Sequence, residues 1–139
     1  MKQVFGKITK VTTGRKLYDI TGEVISWVKA QQIESGLLTL NILHISASLL
    51  VNENYDSDVL VDLEIFFSKL VKDGDKNFTH ITEGPDDMPA HIRTALTQTN
   101  LSFSVKSNEI SIGRWQGIFI FEHRYDEFKR TVNLHIIGE

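Results

Sequence analysis

The stretch Leu37–Ile45 sets the strongest constraint on the fold. Leu38, Leu40, Ile42 and His44 recur at every second residue, so an extended chain puts them on one face. That alternation calls for a sheet with one side against a core. The closing segment Lys129–Ile137 repeats it, with Val132, Leu134 and Ile136 inward and His135 toward the polar side. Residues 2–13, Leu17–Ile20, Ala47–Val51, Leu101–Val105, Ile110–Ile112 and Ile118–Glu122 read as further strands. Lys106-Ser107-Asn108-Glu109 is a hairpin turn. Gly113 and Gly117 bracket a Trp-Gln pair, a pattern of bulges and close backbone approach.

Three segments carry helical spacing instead. Thr21 opens the first, over 21–35, and Ser35-Gly36 is its expected stop. The second covers 58–71, capped by Asp56 or Ser57, with Val59, Leu63, Phe66, Phe67 and Leu70 as its apolar stripe. The third starts near Pro89 and ends near Thr99-Asn100. At 139 residues the chain is expected to form one domain over 1–139. A net charge of -3 argues against a domain that holds nucleic acid electrostatically. The absence of cysteine excludes disulfides, thiolate metal sites and a cysteine nucleophile. No run approaches a membrane span, and a cytoplasmic protein is expected.

Two polar clusters concentrate the chemistry. One runs from His44 to Asp62, the other from Phe78 to His91. His44 ends an apolar row, which suits either a core-edge histidine bonded to the backbone or a ligand. His44, His80 and His91 come from separate elements and are candidate ligands of a divalent metal, Zn or Mg. No His-Glu-x-x-His spacing accompanies them. Arg93 and Arg114 are candidates for binding phosphate. Ser46 and Ser48 read as scaffolding and His123 as peripheral.

Four motifs in order resemble the YjbQ-like family across nearly the whole chain. They are His44-Ile45-Ser46-Ala47-Ser48, Val51-Asn52-Glu53-Asn54, Glu83 through Ile92, and Trp115-Gln116-Gly117. The resemblance implies an α+β fold, with mostly antiparallel or mixed sheets in a sandwich-like arrangement, about three helices and a homotrimer. It also implies secondary thiamine-phosphate synthase activity, which joins hydroxymethylpyrimidine diphosphate to thiazole phosphate and releases diphosphate. Carried over by motif, His44, Glu53, Asp62 and Glu83 are the expected catalytic residues. Asn52, Arg93, Trp115 and Gln116 are the expected substrate contacts, with Arg93 as a phosphate clamp. Ile45, Arg114 and Phe121 depart from the family pattern, the last where a cysteine often stands. Two other readings compete: a metal-dependent hydrolase of a small phosphorylated metabolite, and a non-catalytic metabolite-binding module.

Overall fold

A computed structural model describes residues 1–139. The elements in order are β1 (Lys2–Thr13), β2 (Leu17–Asp19), α1 (Thr21–Gln31), β3 (Ser35–Ile42), β4 (Ala47–Glu53), α2 (Ser57–Leu70), α3 (Asp87–Leu96), β5 (Asn100–Lys106), β6 (Glu109–Ile110), β7 (Gln116–Glu122) and β8 (Glu127–Gly138). They form two antiparallel sheets. One has the order β1-β8-β3-β5-β6, the other β2-β7-β4. This is the α+β architecture with three helices that the motifs imply.

The core lies between the sheets and α1. Leu38, Leu40 and Ile42 on β3 meet Val132, Leu134 and Ile136 on β8, as their alternation requires. Ile118 and Ile120 of β7, Ala47 and Leu49 of β4, and Val24 and Val28 of α1 close the other side. β7 is buried on both faces from Gly117 onward, with Phe119 and Phe121 turned away from the isoleucines. Phe121 meets Phe67 of α2 edge-on at 5.4 Å.

α1 stops earlier than its sequence suggests. Gln32 takes the left-handed conformation at the helix end (φ 56°), and Ser35-Gly36 opens β3 instead. Gly36 is spent on strand packing: it pairs with Gly138, and a Cβ there would meet the Ile137 carbonyl oxygen at 2.3 Å. Asp19, not Thr21, supplies the polar group at the helix start, accepting from the Thr21 backbone N–H at 2.8 Å. For α2 the expected cap is present, with Asp56 accepting from the Asp58 N–H. The apolar stripe of α2 is split. Val59, Leu63 and Phe67 are half-buried on the small sheet, whereas Phe66 and Leu70 are 58% and 56% exposed. The turn at Ser107-Asn108 has positive φ at both residues, the geometry that suits tight hairpins. Gly117 makes the expected close approach: a Cβ there would lie 2.9 Å from Asn54 and from the Phe119 ring.

Candidate functional site

The segment between α2 and α3, residues 71–86, carries no regular structure and is pinned at both ends. Arg15, buried, pairs with Asp73 at 2.7 Å, and Gly74 N–H donates to the Pro85 carbonyl at 3.1 Å. Arg124 pairs with Asp86 at 3.0 Å and donates to the Glu83 carbonyl at 2.9 Å. This clamping brings His80 against the first turns of α3. Asp87 and His91 are four residues apart and therefore share one helix face.

Ligand atoms of His80, Asp87 and His91 all lie within 4.8 Å of one another. His80 Nε2 is 2.6 Å and His91 Nε2 3.3 Å from the same oxygen, Asp87 Oδ2. Asp87 Oδ1 accepts from Arg124 Nη1 at 2.7 Å, which fixes the carboxylate and leaves Oδ2 facing the imidazoles. Burial pushes the Asp87 carboxyl up. Its contacts with His80 and Glu83, and the charge of Arg124, outweigh burial and hold it below the usual carboxylate range. Two imidazole nitrogens and one ionised carboxylate make a donor set that suits zinc better than magnesium, which prefers oxygen ligands. Glu83 stands beside the cluster, with Oε2 at 3.6 Å from His80 Nε2.

His44 is not in this group; Asp87 takes the third position expected of it. His44 follows the end of β3, and its Nε2 accepts the Thr131 backbone N–H at 2.8 Å. Burial and nearby Arg130 lower its pKa, in keeping with an accepting, neutral ring. Within the chain it is a core-edge histidine bonded to the backbone.

The expectation of a phosphate clamp at Arg93 is corrected. Arg93 is fully buried, paired with Glu64 of α2 and held over the rings of Phe67 and Phe121. A guanidinium so enclosed offers no face to a solute. Asn52, Glu53, Trp115 and Gln116 gather elsewhere, around the β4–α2 loop. Asn52 accepts from the Glu53 N–H, Glu53 accepts from the Asp56 N–H at 3.1 Å, and Gln116 Oε1 accepts from the Gly113 N–H at 2.6 Å. Trp115 stands edge-on to Tyr55 at 5.0 Å. None of them bonds to the His80 group. Asp62 lies exposed on α2 without a hydrogen-bonded partner.

His123, expected at the periphery, is fully buried at the end of β7. Arg93 Nε donates to its Nδ1 at 3.2 Å, and Ser48 Oγ lies 2.8 Å from its Nε2. Because Arg93 can only donate, Nδ1 accepts and the ring proton sits on Nε2, directed at Ser48. This tautomer cannot take a proton from the serine, so the pair is structural and not a nucleophile with its base. Thr97 Oγ lies 2.6 Å from Ser48 Oγ and 2.8 Å from the Arg93 carbonyl oxygen, closing a ring that ties α3 to both β4 and β7.

Burial, with Arg93, Arg15 and Arg130 nearby, pushes the His123 pKa down to about 2. Above the unfolded value of about 6.5 the ring is neutral in both states and stability is unaffected. Below it the unfolded chain binds a proton that the folded chain refuses, so stability falls by about 1.4 kcal/mol per pH unit. Denaturant titrations are expected to show about 2–3 kcal/mol less stability at pH 4.5 than at pH 7 from this residue, with His44 adding in the same direction. A His123→Gln chain, whatever its stability at pH 7, should lose most of that slope. An unchanged slope would refute the assignment.

The comparisons with known proteins agree with this architecture. The family model described as UPF0047 protein YjbQ-like matches residues 7–139. The UPF0047 protein sll1880 of Synechocystis is 42% identical over 128 residues, covering 92% of this chain and 87% of its own. The UPF0047 protein YjbQ of Escherichia coli O157:H7 is 37% identical over 133 residues, covering 95% and 96%. Among solved structures, the hypothetical protein APE1520 of Aeropyrum pernix superposes with a TM-score of 0.88 at 29% identity, covering 98% of this chain and 99% of that one. A YbjQ-like protein of unknown function from Sulfolobus solfataricus reaches 0.91 at 23% identity, covering 99% of both chains. No helix is long and apolar enough to cross a membrane. With the motifs, the two-sheet topology and full-length similarity in agreement, the chain belongs to the UPF0047 family of YjbQ-like proteins.

Proposed function

We propose that His80, Asp87 and His91 bind a divalent metal ion and that the protein acts on an organic diphosphate, in the thiamine-phosphate synthase-like reaction implied by its motifs. One observation carries the reading: two imidazoles and a carboxylate converge within 4.8 Å, with the carboxylate pinned by Arg124. In this reaction the bond between a benzylic-type carbon and diphosphate breaks as the thiazole phosphate adds. A bound divalent cation would supply positive charge to the departing diphosphate. The chain's own contribution is positioning. Asp87 and His91 project from one helix face, and the pinned loop presents His80 to them.

The same reading includes a homotrimer in the cytoplasm. Exposed apolar side chains on α2 support assembly, since Val61, Ile65, Phe66 and Leu70 are each roughly half exposed in one chain. Sedimentation giving a monomer would remove that part.

A second reading draws on Glu83. Its carboxylate is largely exposed beside His80, where it can accept a proton from water and turn the same centre into a hydrolase. Incubation with both precursors separates the two. The synthase yields thiamine phosphate and diphosphate in equal amounts; the hydrolase releases phosphate or diphosphate from the pyrimidine substrate alone. A chain that binds neither zinc, manganese nor magnesium in calorimetric titration ends both readings.

A further inference from the structure

We propose that the cleft enclosed by residues 74–88 is the substrate pocket of this centre, with Lys76 as its anion-binding residue, so that the site takes small ring-bearing organic phosphates. The inference rests on the metal reading above and names its substrate class. The cleft measures about 460 Å³, within the size range of small-molecule sites. His80 lines it and also belongs to the three-residue cluster, so one wall of the cleft adjoins the proposed metal position. Phe78, Ile81 and Met88 give it apolar walls, and Ile81 is left 67% exposed.

Burial of Arg93 leaves the question of which cation meets a phosphate here. Arg15 is engaged by Asp73, and Arg124 by Asp86 and Asp87. Lys76 is the one lysine or arginine lining the cleft, is exposed, and makes no ion pair or hydrogen bond within the chain. Asp75, also on the lining, accepts from the Asn77 N–H at 2.9 Å. A ligand entering the cleft thus finds an unpaired ammonium, an aromatic ring at Phe78 and the imidazole of His80. That combination recognises a phosphate carried on a compact ring.

The test uses phenyl phosphate and inorganic phosphate as probes on the zinc-loaded full chain. Phenyl phosphate is expected to bind more tightly than inorganic phosphate. Lys76→Ala should weaken phenyl phosphate by about 10- to 100-fold, the loss of one charge-assisted contact, and leave zinc affinity unchanged. Phe78→Ala should weaken phenyl phosphate and spare inorganic phosphate. If zinc binds but phenyl phosphate does not, or if Lys76→Ala and Lys76→Glu bind it like the parent, the pocket assignment is overturned while the metal reading stands. If neither zinc, manganese nor magnesium binds, the metal reading falls and the same comparison is made on the metal-free chain. Loss in Lys76→Ala then upholds the pocket, and no binding or no loss overturns it.

Discussion

Replacing Arg130 with alanine destabilises the fold by roughly 3–5 kcal/mol, the cost of leaving a buried carboxylate without its counter-charge. The carboxylate is Glu122, fully buried at the end of β7. Its Oε1 accepts from Arg130 Nε at 2.7 Å and from the Thr12 hydroxyl. Its Oε2 accepts from Arg130 Nη2 and from the backbone N–H groups of His123 and Arg124. Arg130, 3% exposed, also donates to the Ser46 carbonyl and hydroxyl and lies over the Phe128 ring at 4.4 Å. The cluster therefore joins β1 and β8 of the large sheet to β7 and the approach to β4 of the small one. Removing the guanidinium strands a charge that no water reaches. At this chain length the loss corresponds to a fall in Tm on the order of 10–15 °C. Removing both charges is a different experiment. The Arg130→Met, Glu122→Gln double variant should recover a large part of the loss, because two neutral side chains carry a far smaller desolvation penalty. Calorimetric melts of the parent, Arg130→Ala and the double variant check this. A shift under 1 kcal/mol in Arg130→Ala would mean that Glu122 finds another partner or a proton.

The parts of this architecture that were legible in the sequence are those in which one face is wet. Leu38, Leu40 and Ile42 alternate with Leu37, Thr39 and Asn41, and Val132, Leu134 and Ile136 with Thr131, Asn133 and His135; the sheet buries the first set of each. β7 carries no such signal. Ile118 and Ile120 face the core and Phe119 and Phe121 face α2, so apolar residues fill both sides and periodicity is lost. The burial of His123 and Arg93 depends on partners 30 to 75 positions away, Ser48 among them, and on Glu64 across α2. Local pattern does not register contacts of that range. A buried arginine and an exposed one also look alike in sequence; here an ion pair, two aromatic faces and a hydrogen-bond ring make burial tolerable. Asp87 is a different kind of miss. Its position four residues before His91 was readable as a shared helix face, and the two prolines and Gly84 marked the helix start beside it. A ligand set built from histidines alone omits Asp87 and groups His44 with two residues it does not touch.

Asp87 is where the proposed metal centre is most exposed to refutation. It is the only one of the three donors that is almost fully buried, and it bonds in two directions at once. Oδ2 faces the imidazoles of His80 and His91, while Oδ1 is tied to Arg124, which is anchored in turn by Asp86 and the Glu83 carbonyl. Losing an outer partner such as Arg124 typically lowers metal affinity by about 10- to 100-fold, through poorer orientation of a donor that is still present. Losing the donor itself removes charge as well as orientation. Asp87→Ala is therefore expected to lower zinc affinity by more than about 100-fold, with Arg124→Ala intermediate between it and the parent. The fold survives the change, because Asp86 still neutralises Arg124 and the ring through Arg93 and His123 still fastens α3. His44→Ala serves as the contrast. Its ring accepts a backbone N–H of β8, so its loss should cost stability and leave zinc stoichiometry and affinity unchanged. Zinc titrations of the four proteins, each checked for a cooperative melt, decide the matter. Parent-like affinity in Asp87→Ala would remove the site from α3, and loss of zinc in His44→Ala would restore that histidine to the ligand set.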